Sequence, residues 1–348
     1  MAGTGTAHLR PNSLLEVHDL EISFPVAKGG TVHAVSGISL DVAKGEVLGL
    51  VGESGCGKST TSKAIVGHVR PTSGVISLDG VDLATLGGEA RRRINARIQM
   101  IFQDPISSLN PRHTVEEIIG QGLDIWQIGT KRERAEKVAE LMEAVGLRYN
   151  PAAKRRRSSF SGGQCQRISI ARALALDPEI LICDEVVSAL DVSVQAQILN
   201  LLGEMRERLG LTMLFVTHDL GVVRHVSDRI AVMYLGKLCE VAETEPLFSR
   251  PAHPYTRSLL NAVPVRDPQT GLPQLSRQSD DFDGEPPSPI NPPSGCRFNT
   301  RCPLAQSVCA VEEPVIREIR PGHFVACHFP MMDEVPVVVS AKPAQELS

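Results

Sequence analysis

Short apolar runs alternate with longer segments of helical periodicity along most of this chain. The apolar runs have the length of strands that are buried on both faces, and they are Val47–Val51, Ile98–Phe102, Ile180–Cys183 and Thr212–Val216. Residues 131–145 and 192–209 carry the helical pattern, and a glycine follows each of them. This alternation is typical of the α/β class, in which helices cover a mostly parallel sheet.

Two further patterns add to this α/β core. Looser apolar alternation at Leu14–Leu20 and Ala34–Val42 predicts a small antiparallel sheet before the first buried strand. The segment from Thr114 to Ala175 has a helical pattern and predicts a helical insertion on the core. Its basic run, Lys154–Arg157, is interpreted as a solvated face, with a phosphate or lipid-headgroup contact as the alternative.

A glycine-rich turn follows the first buried strand directly. It matches G-x-x-x-x-G-K-[ST], a pattern whose small residues let backbone N–H groups surround a phosphate chain. Its residues are Gly52, Glu53, Ser54, Gly55, Cys56, Gly57, Lys58, Ser59 and Thr60. We expect Lys58 to contact the β and γ phosphates and Ser59 to bind Mg²⁺, with a helix N-terminus facing the anion. A glycine-rich surface turn is the alternative.

Polar residues follow the other buried strands, at the sheet edge where ligands bind in open α/β proteins. Gln103 follows one strand, Asp184 and Glu185 follow the next, and His218 lies just after a third. We expect Asp184 to organise the Mg²⁺ shell and Glu185 to orient and deprotonate a water. The alternatives are a loop-capping role for Gln103 and a structural role for His218, although beside a phosphate loop we favour a γ-phosphate contact for the histidine.

Two more features point to a nucleotide. A second glycine pair opens a helix and predicts a second anion site, with the residues Ser161, Gly162, Gly163 and Gln164. Phe24 lies between the two segments of the antiparallel sheet, where its ring could stack on an adenine face or pack as a core aromatic.

Composition narrows the range of partners. The chain has 348 residues, with 42% hydrophobic and 22% charged, which predicts a large domain plus a smaller unit. Lys and Arg total 36 against 40 Asp and Glu, so no overall field favours nucleic acid or an anionic membrane. No run approaches the roughly 20 apolar residues of a spanning helix, and the first residues lack a signal-peptide pattern. We therefore expect a protein of the reducing cytosol that contacts a membrane through a partner.

The motifs occur in one order that resembles the ATP-binding subunit of ATP-binding-cassette (ABC) transporters. They are Gly52–Thr60, Gln103, Ser161–Gln164, Ile180–Glu185 and His218. Within that family, four further stretches resemble the oligopeptide, dipeptide and nickel importers. These stretches are Gln103–Pro105, Ser108–Arg112, Ser188–Gln197 and His253–Thr256.

The resemblance implies a fold and a domain plan. The fold is an α/β P-loop NTPase, with a RecA-like core, an antiparallel β subdomain, a helical signature subdomain and a small Cys-rich C-terminal extension. The expected division is an ATP-binding domain at 14–262, a Pro/Asp-rich linker at 263–295, a Cys-rich metal-cluster region at 296–330 and a tail at 331–348.

The resemblance also implies an activity, which is Mg²⁺-dependent ATP hydrolysis coupled to the uptake of oligopeptides or dipeptides. Glu185, His218 and Gln103 are the expected catalytic residues, and the expected Mg²⁺ ligands are Ser59, Gln103 and Asp184. In the family, Ser161–Gln164 of one subunit closes over ATP held by the other. Import of nickel or another small solute, and a soluble ABC ATPase without a transport role, are the alternatives, while Glu185 argues against a regulatory module without turnover.

The implied partners follow from the same resemblance. They are a second ABC ATPase subunit, expected as a heterodimer, two integral membrane permease subunits and an extracytoplasmic solute-binding protein, with no nucleic acid. The expected location is peripheral, on the cytoplasmic face of the cell membrane. Cys165 and Val186 depart from the family's usual Arg and Pro, and we expect these changes to affect packing and coupling more than chemistry.

Four of the eight cysteines occur close together near the C-terminus, as C-x5-C-x6-C-x17-C. They are Cys296, Cys302, Cys309 and Cys327. The surrounding segment is polar, so a bound metal would supply a missing core, although buried thiols are the alternative. The spacing matches neither the usual zinc pairs nor common ferredoxin runs. The resemblance to peptide-importer ATPases implies a [4Fe-4S] cluster on these four residues, with zinc as the alternative.

Overall fold

The computed structural model contains an eight-stranded sheet, a four-stranded sheet and a short two-stranded pair within the residues that it describes. Described are residues 5–26, 29–262, 265–266, 273–274 and 285–332. The strands, in chain order, are β1 (Leu15–Pro25), β2 (Thr31–Val42), β3 (Val47–Val51), β4 (Ser73–Leu78), β5 (Val81–Asp82), β6 (Ile98–Ile101), β7 (Ile180–Asp184), β8 (Thr212–Thr217), β9 (Arg229–Tyr234), β10 (Lys237–Glu243), β11 (Val265–Arg266), β12 (Pro273–Gln274), β13 (Arg317–Arg320) and β14 (His323–Val325).

The larger sheet has eight strands in the order β13-β14-β10-β9-β3-β8-β7-β6. Its central strands β9, β3, β8, β7 and β6 pair in parallel. The four apolar runs of the sequence are β3, β6, β7 and β8, as predicted. Because parallel neighbours end at the same edge of a sheet, the residues that follow β3, β6, β7 and β8 are brought together there.

The smaller sheet is antiparallel, in the order β2-β1-β4-β5. The alternation at Leu14–Leu20 and Ala34–Val42 corresponds to β1 and β2, so the predicted antiparallel sheet is confirmed. Its apolar face packs with β3 and the helix after the phosphate loop in one hydrophobic cluster, which includes Leu15, Ile38, Leu50 and Ile65.

Helices cover the larger sheet and form the inserted region. In chain order they are α1 (Lys58–Ile65), α2 (Gly88–Arg97), α3 (Pro105–Ser108), α4 (Val115–Trp126), α5 (Lys131–Ala144), α6 (Tyr149–Ala152), α7 (Gly162–Leu174), α8 (Val192–Leu209), α9 (Leu220–Val226), α10 (Thr244–Ser249), α11 (Pro254–Asn261) and α12 (Ser307–Val311), with a 3₁₀ turn at Arg157–Ser159. The predicted helical insertion corresponds to α4 to α7. None of the described helices is long and apolar enough to cross a membrane.

The C-terminal extension packs on the core and extends the main sheet. Strand β14 pairs antiparallel with β10, and β13 pairs with β14. Phe298 is buried against Tyr234 and Tyr255, which lie in or beside the ATPase core. Although this region is polar in composition, it is packed on the core, because the preceding domain buries its few apolar residues. Most of the predicted linker, at 263–264, 267–272 and 275–284, and the tail from 333 onward lie outside the described residues.

Candidate active site

The glycine-rich turn adopts a backbone that only glycine fits at two positions. Gly52 has φ 154°, and a Cβ there would lie 2.0 Å from the Met233 carbonyl oxygen. Gly57 has φ 109°, and a Cβ there would lie 2.2 Å from the carbonyl oxygen of Ala34. The chain then enters α1 at Lys58, so free N–H groups of a helix N-terminus adjoin the turn. This is the geometry of an anion-binding turn.

Lys58 supplies a positive charge inside this turn. Its side chain donates hydrogen bonds to the carbonyl oxygens of Gly52 and Glu53, at 2.7 and 2.9 Å. The residue is only 4% exposed, so the ammonium group is held by the turn rather than by solvent. A polyphosphate in the turn would offer this ammonium stronger, charged acceptors.

Ser59 and Asp184 meet where β7 ends beside α1. The Ser59 hydroxyl donates to the Asp184 carboxylate at 2.8 Å. Burial raises the pKa of Asp184, and the hydrogen bond from Ser59 opposes that rise. A hydroxyl and a carboxylate in contact are oxygen ligands suited to Mg²⁺. Among the described contacts, Gln103 makes no hydrogen bond to this pair, and its amide N–H₂ group donates to Glu185.

Glu185 is oriented by its neighbours and by its own backbone. The Gln103 amide donates to one carboxylate oxygen at 2.9 Å, and His218 Nδ1 lies 3.3 Å from the other. The Glu185 backbone has φ 50°, a left-handed conformation that is uncommon for a residue with a side chain. Its N–H donates to the carbonyl of Val216 on the adjacent strand at 2.9 Å. The three expected catalytic side chains therefore form one hydrogen-bonded group.

One open cleft contains most of the predicted ATP-binding residues. It is lined by Phe24, Gly52, Glu53, Ser54, Gly55, Gly57, Lys58, Ser59, Thr60, Gln103, Glu185 and His218, together with Val32, Ala34, Leu259 and Pro289. Phe24 is 39% exposed, so a ring face is available to a ligand. Cys56 is buried beneath the turn and does not line the cleft.

The four residues Ser161–Gln164 are not among those that line this cleft. Ser161 begins α7 with a capping box, in which its hydroxyl accepts from the Gln164 N–H and the Gln164 side chain accepts from the Ser161 N–H. Ser161 and Gln164 are exposed. The two unusual family positions, Cys165 and Val186, are buried at 1% and 2% exposure, and burial raises the pKa of the Cys165 thiol.

Two residues that contact the phosphate turn were not predicted as site residues from the sequence. The Tyr255 hydroxyl accepts a hydrogen bond from the Glu53 N–H at 2.9 Å. Arg301 lies 3.1 Å from both carboxylate oxygens of Glu53. The His253–Thr256 motif was visible in the sequence, but nothing local to it indicates a contact with residues about 200 positions earlier.

The four C-terminal cysteines line one small pocket, together with His253, Pro254, Phe298, Asn299, Leu304, His328 and Phe329. All four are free thiols. Burial raises the pKa of Cys296 to about 11 and that of Cys327 to about 12. Within the described ranges, no three His, Cys, Asp or Glu side chains are grouped so that they could hold a metal ion. The structure therefore does not support the metal centre expected on these cysteines.

Comparisons with known proteins agree with the geometry of the cleft. The family model described as ABC transporter matches residues 35–188, and the oligopeptide/dipeptide transporter C-terminal region matches residues 239–309. The oligopeptide transport ATP-binding protein AppF of Bacillus subtilis is 49% identical over 323 residues, which cover 91% of this chain and 97% of AppF. This chain belongs to the ABC transporter family. The resemblance seen in its motifs is confirmed.

Other members of the ABC transporter family support the same assignment. The oligopeptide transport ATP-binding protein OppF of Salmonella typhimurium is 46% identical, over 90% of this chain and 95% of OppF. Among solved structures, the dimeric ATP-binding cassette MJ0796 bound to ADP and Pi has a TM-score of 0.60 and 28% identity. That match covers 66% of this chain and 98% of the cassette, so the ABC ATPase fold extends over about two thirds of the chain.

Proposed function

We propose that this chain hydrolyses ATP as a subunit of an ABC importer and couples hydrolysis to the uptake of oligopeptides or dipeptides. The observation that carries this proposal is the convergence of Lys58, Ser59 and the Gln103–Glu185–His218 group on one cleft, with Asp184 hydrogen-bonded to Ser59 behind it. The match at residues 239–309 to the C-terminal region of oligopeptide and dipeptide transporters favours peptides over nickel. The names of AppF and OppF favour the same cargo.

The first task of the cleft is to hold and neutralise the polyphosphate. Phosphoryl transfer needs little covalent help, so catalysis depends on positioning and on charge stabilisation. The turn amides and Lys58 bind the β and γ phosphates, and Phe24 offers its exposed ring to the base. Ser59 and Asp184 would hold Mg²⁺, which supplies positive charge at the phosphate oxygens when it is bound.

The second task is to activate water. Glu185 accepts a proton from the attacking water, since its carboxylate is fixed between Gln103 and His218. His218 has 54% of its side chain exposed, which leaves it free to contact the γ-phosphate. The strained backbone of Glu185 limits the directions that its carboxylate can take.

A second cassette would complete the site. Ser161–Gln164 does not line its own cleft and has exposed polar groups at a helix N-terminus, so it is suited to the ATP of a partner subunit. The solved MJ0796 cassette is dimeric. We propose a heterodimer with a related cassette, bound at the cytoplasmic face to two permease subunits through residues 103–112, with an extracytoplasmic solute-binding protein delivering the peptide.

The test of this function is Mg·ATP turnover by the chain assembled with its partner subunits. Lys58→Ala should abolish ATP binding, because the turn loses its only side-chain cation while its amides remain. Lys44→Ala is the matched control, since Lys44 precedes the same strand at its other end and is exposed. Retention of full ATP affinity by Lys58→Ala would overturn the proposal.

The Cys-rich region is a separate part of the proposal, in which its four cysteines bind a [4Fe-4S] cluster. The support is that four free thiols line one pocket. Thiolates are the ligands that such clusters use. Protein prepared without oxygen should contain iron and sulfide and show the visible thiolate-to-iron band. Cys309→Ser should lose that band and Cys165→Ser should keep it, whereas a colourless, iron-free parent would exclude the cluster.

A further inference from the structure

Glu53, the second residue of the phosphate turn, is held at three points. Its N–H donates to the Tyr255 hydroxyl at 2.9 Å, and its carbonyl accepts from the Lys58 ammonium at 2.9 Å. Its carboxylate lies 3.1 Å from Arg301 through both oxygens. Two of these three contacts come from outside the ATP-binding motifs, across sequence separations of 202 and 248 residues.

The Tyr255 contact is fixed by a buried aromatic cluster. Tyr255 is 1% exposed, and its ring lies 4.6 Å from Tyr234 and 5.4 Å from Phe298 between centroids. Burial raises the pKa of Tyr255, so its hydroxyl stays protonated and neutral. The ring packing holds the hydroxyl oxygen in front of the Glu53 N–H, and that N–H is therefore directed away from the cleft.

The Arg301 contact is sheltered from water. The side chains of Arg301 and Glu53 are 11% and 27% exposed, and Arg301 also donates to the Tyr234 hydroxyl at 3.2 Å. Arg301 lies in the short segment between Cys296 and Cys302, where the Arg301 N–H bonds to the Phe298 carbonyl. A partly desolvated charged hydrogen bond of this kind constrains geometry more than an exposed ion pair does.

We propose that Tyr255 and Arg301 are positioning residues for the phosphate turn, and that Arg301 makes ATP affinity depend on the C-terminal extension. Neither residue lines the cleft. They hold Glu53, whose carbonyl oxygen orients the Lys58 ammonium, so the turn is already ordered before the nucleotide binds. The conformational entropy lost on ATP binding is therefore smaller. This inference rests on the proposed function only in taking ATP as the ligand of the cleft.

The first experiment measures the affinity for Mg·ATP and the steady-state kinetics of two variants. Arg301→Gln and Tyr255→Phe should each weaken ATP binding about fivefold to tenfold, as expected for loss of one well-formed hydrogen bond. The KM for ATP should rise, while kcat at saturating ATP stays within about twofold because Glu185 is untouched. The melting temperature should stay within about 2 °C of the parent.

Matched controls separate this role from general destabilisation. Arg320→Gln changes an arginine of the same extension that bonds to the carbonyls of Arg250 and Met332 and does not reach the turn. Tyr149→Phe removes a hydroxyl that bonds to Glu116 in the helical region. Both controls should bind ATP like the parent. Equal losses of affinity and melting temperature in tests and controls would overturn the inference.

A double-mutant cycle then tests the link itself. If Arg301 acts through Glu53, the pair Glu53→Gln and Arg301→Gln should bind ATP no more weakly than the poorer single variant. The charge-reversed pair, Glu53→Arg with Arg301→Glu, should recover part of the affinity. Losses that multiply in the double variant would refute the coupling. A parent that binds no ATP would instead contradict the proposed function, so the two failures are distinguishable.

Discussion

Glu185 combines an uncommon backbone conformation with a fully engaged carboxylate. Its φ of 50° costs of order 1–3 kcal/mol for a residue with a side chain, and such strain is concentrated at functional sites. The sequence predicts that Glu185 follows a buried strand, because that signal is local. Neither the left-handed backbone nor the contacts with Gln103 and His218 could be predicted, since they depend on the packing of three separate strands.

Replacement of Glu185 by glutamine tests whether the Glu185 carboxylate is the catalytic base. The amide keeps the size of the side chain but cannot take a proton, so turnover should fall about 10²–10⁴-fold. ATP affinity should stay within about threefold of the parent, because Lys58 and the turn are unchanged. Single-turnover hydrolysis and equilibrium ATP binding measure the two effects.

The control for this change lies at the other end of the same strand. Glu179 precedes β7 and pairs with Arg97, away from the cleft. Glu179→Gln should leave turnover within about twofold of the parent. Parental turnover in Glu185→Gln would remove Glu185 from the role of base.

His8 predicts a pH dependence of folding that is independent of the cleft. The residue is 2% exposed, its Nε2 lies 2.7 Å from the Ser39 carbonyl oxygen, and burial lowers its pKa from 6.5. The unfolded chain therefore takes up the proton first as the pH falls, and the stabilising effect of the neutral ring is complete above pH 6.5 and lost below it.

Urea unfolding at about pH 7.5 and about pH 5.5 measures this effect. His8→Gln can still donate to Ser39 and has no charge to gain, so it should lose less stability over that interval than the parent. An equal loss in both proteins would show that the titration of His8 does not contribute.

Three helices begin with the same local device, a capping box. Thr114 caps α4, Thr130 caps α5 and Ser161 caps α7, and in each case the side chains of the first and fourth residues exchange hydrogen bonds with the backbone. Such devices are short-range, like the glycines after residues 145 and 209 from which the helix ends were predicted. Helix α8 has the predicted limits, Val192 and Leu209, with Gly210 in the left-handed conformation after it.

Because the caps share one geometry, a comparison of two of them separates a purely structural role from a functional one. Ser161→Ala and Thr130→Ala should each lower the free energy of unfolding by about 1 kcal/mol, because each removes one cap hydrogen bond. Only Ser161→Ala should also reduce ATP turnover of the assembled dimer, since Thr130 is not in the proposed signature. Urea unfolding and turnover, measured on both variants, test this. Equal turnover in the two variants would contradict a role for Ser161 at the partner's ATP.

For the molecule as a whole, the packing of the C-terminal extension is the feature that the sequence could not predict. Its apolar residues are isolated, so periodicity gives no signal, and strand β14 has only three residues. Phe298 and Val325 are nevertheless buried, because partners come from β9, β10 and α11. Contacts of such long sequence separation leave no local pattern. The extension was therefore expected as a polar, metal-supported unit, and its packing on the core was missed.

A buried pair joins the extension to the core. His323 Nε2 lies 2.6 Å from the Glu240 carboxylate, and the two residues are 1% and 0% exposed. His323→Ala removes this hydrogen bond, while the carboxylate keeps the N–H donors of Ala252 and His253, and should lower the free energy of unfolding by about 2 kcal/mol. His225→Ala, at an exposed site on α9, should change it by less than about 0.5 kcal/mol. Urea unfolding decides between these outcomes, and a loss below about 1 kcal/mol in His323→Ala would contradict the expected anchoring.

The position of β14 and β13 also bears on aggregation. Strand β10 is buried along most of its length, and without β14 its backbone groups would form a bare apolar edge able to recruit strands from other chains. Strand β13 is outermost instead, and it carries Arg317, Glu318 and Arg320, charges that discourage such pairing. The extension therefore protects the sheet edge from intermolecular pairing, and we expect that its deletion or unfolding would first appear as a loss of monodisperse protein.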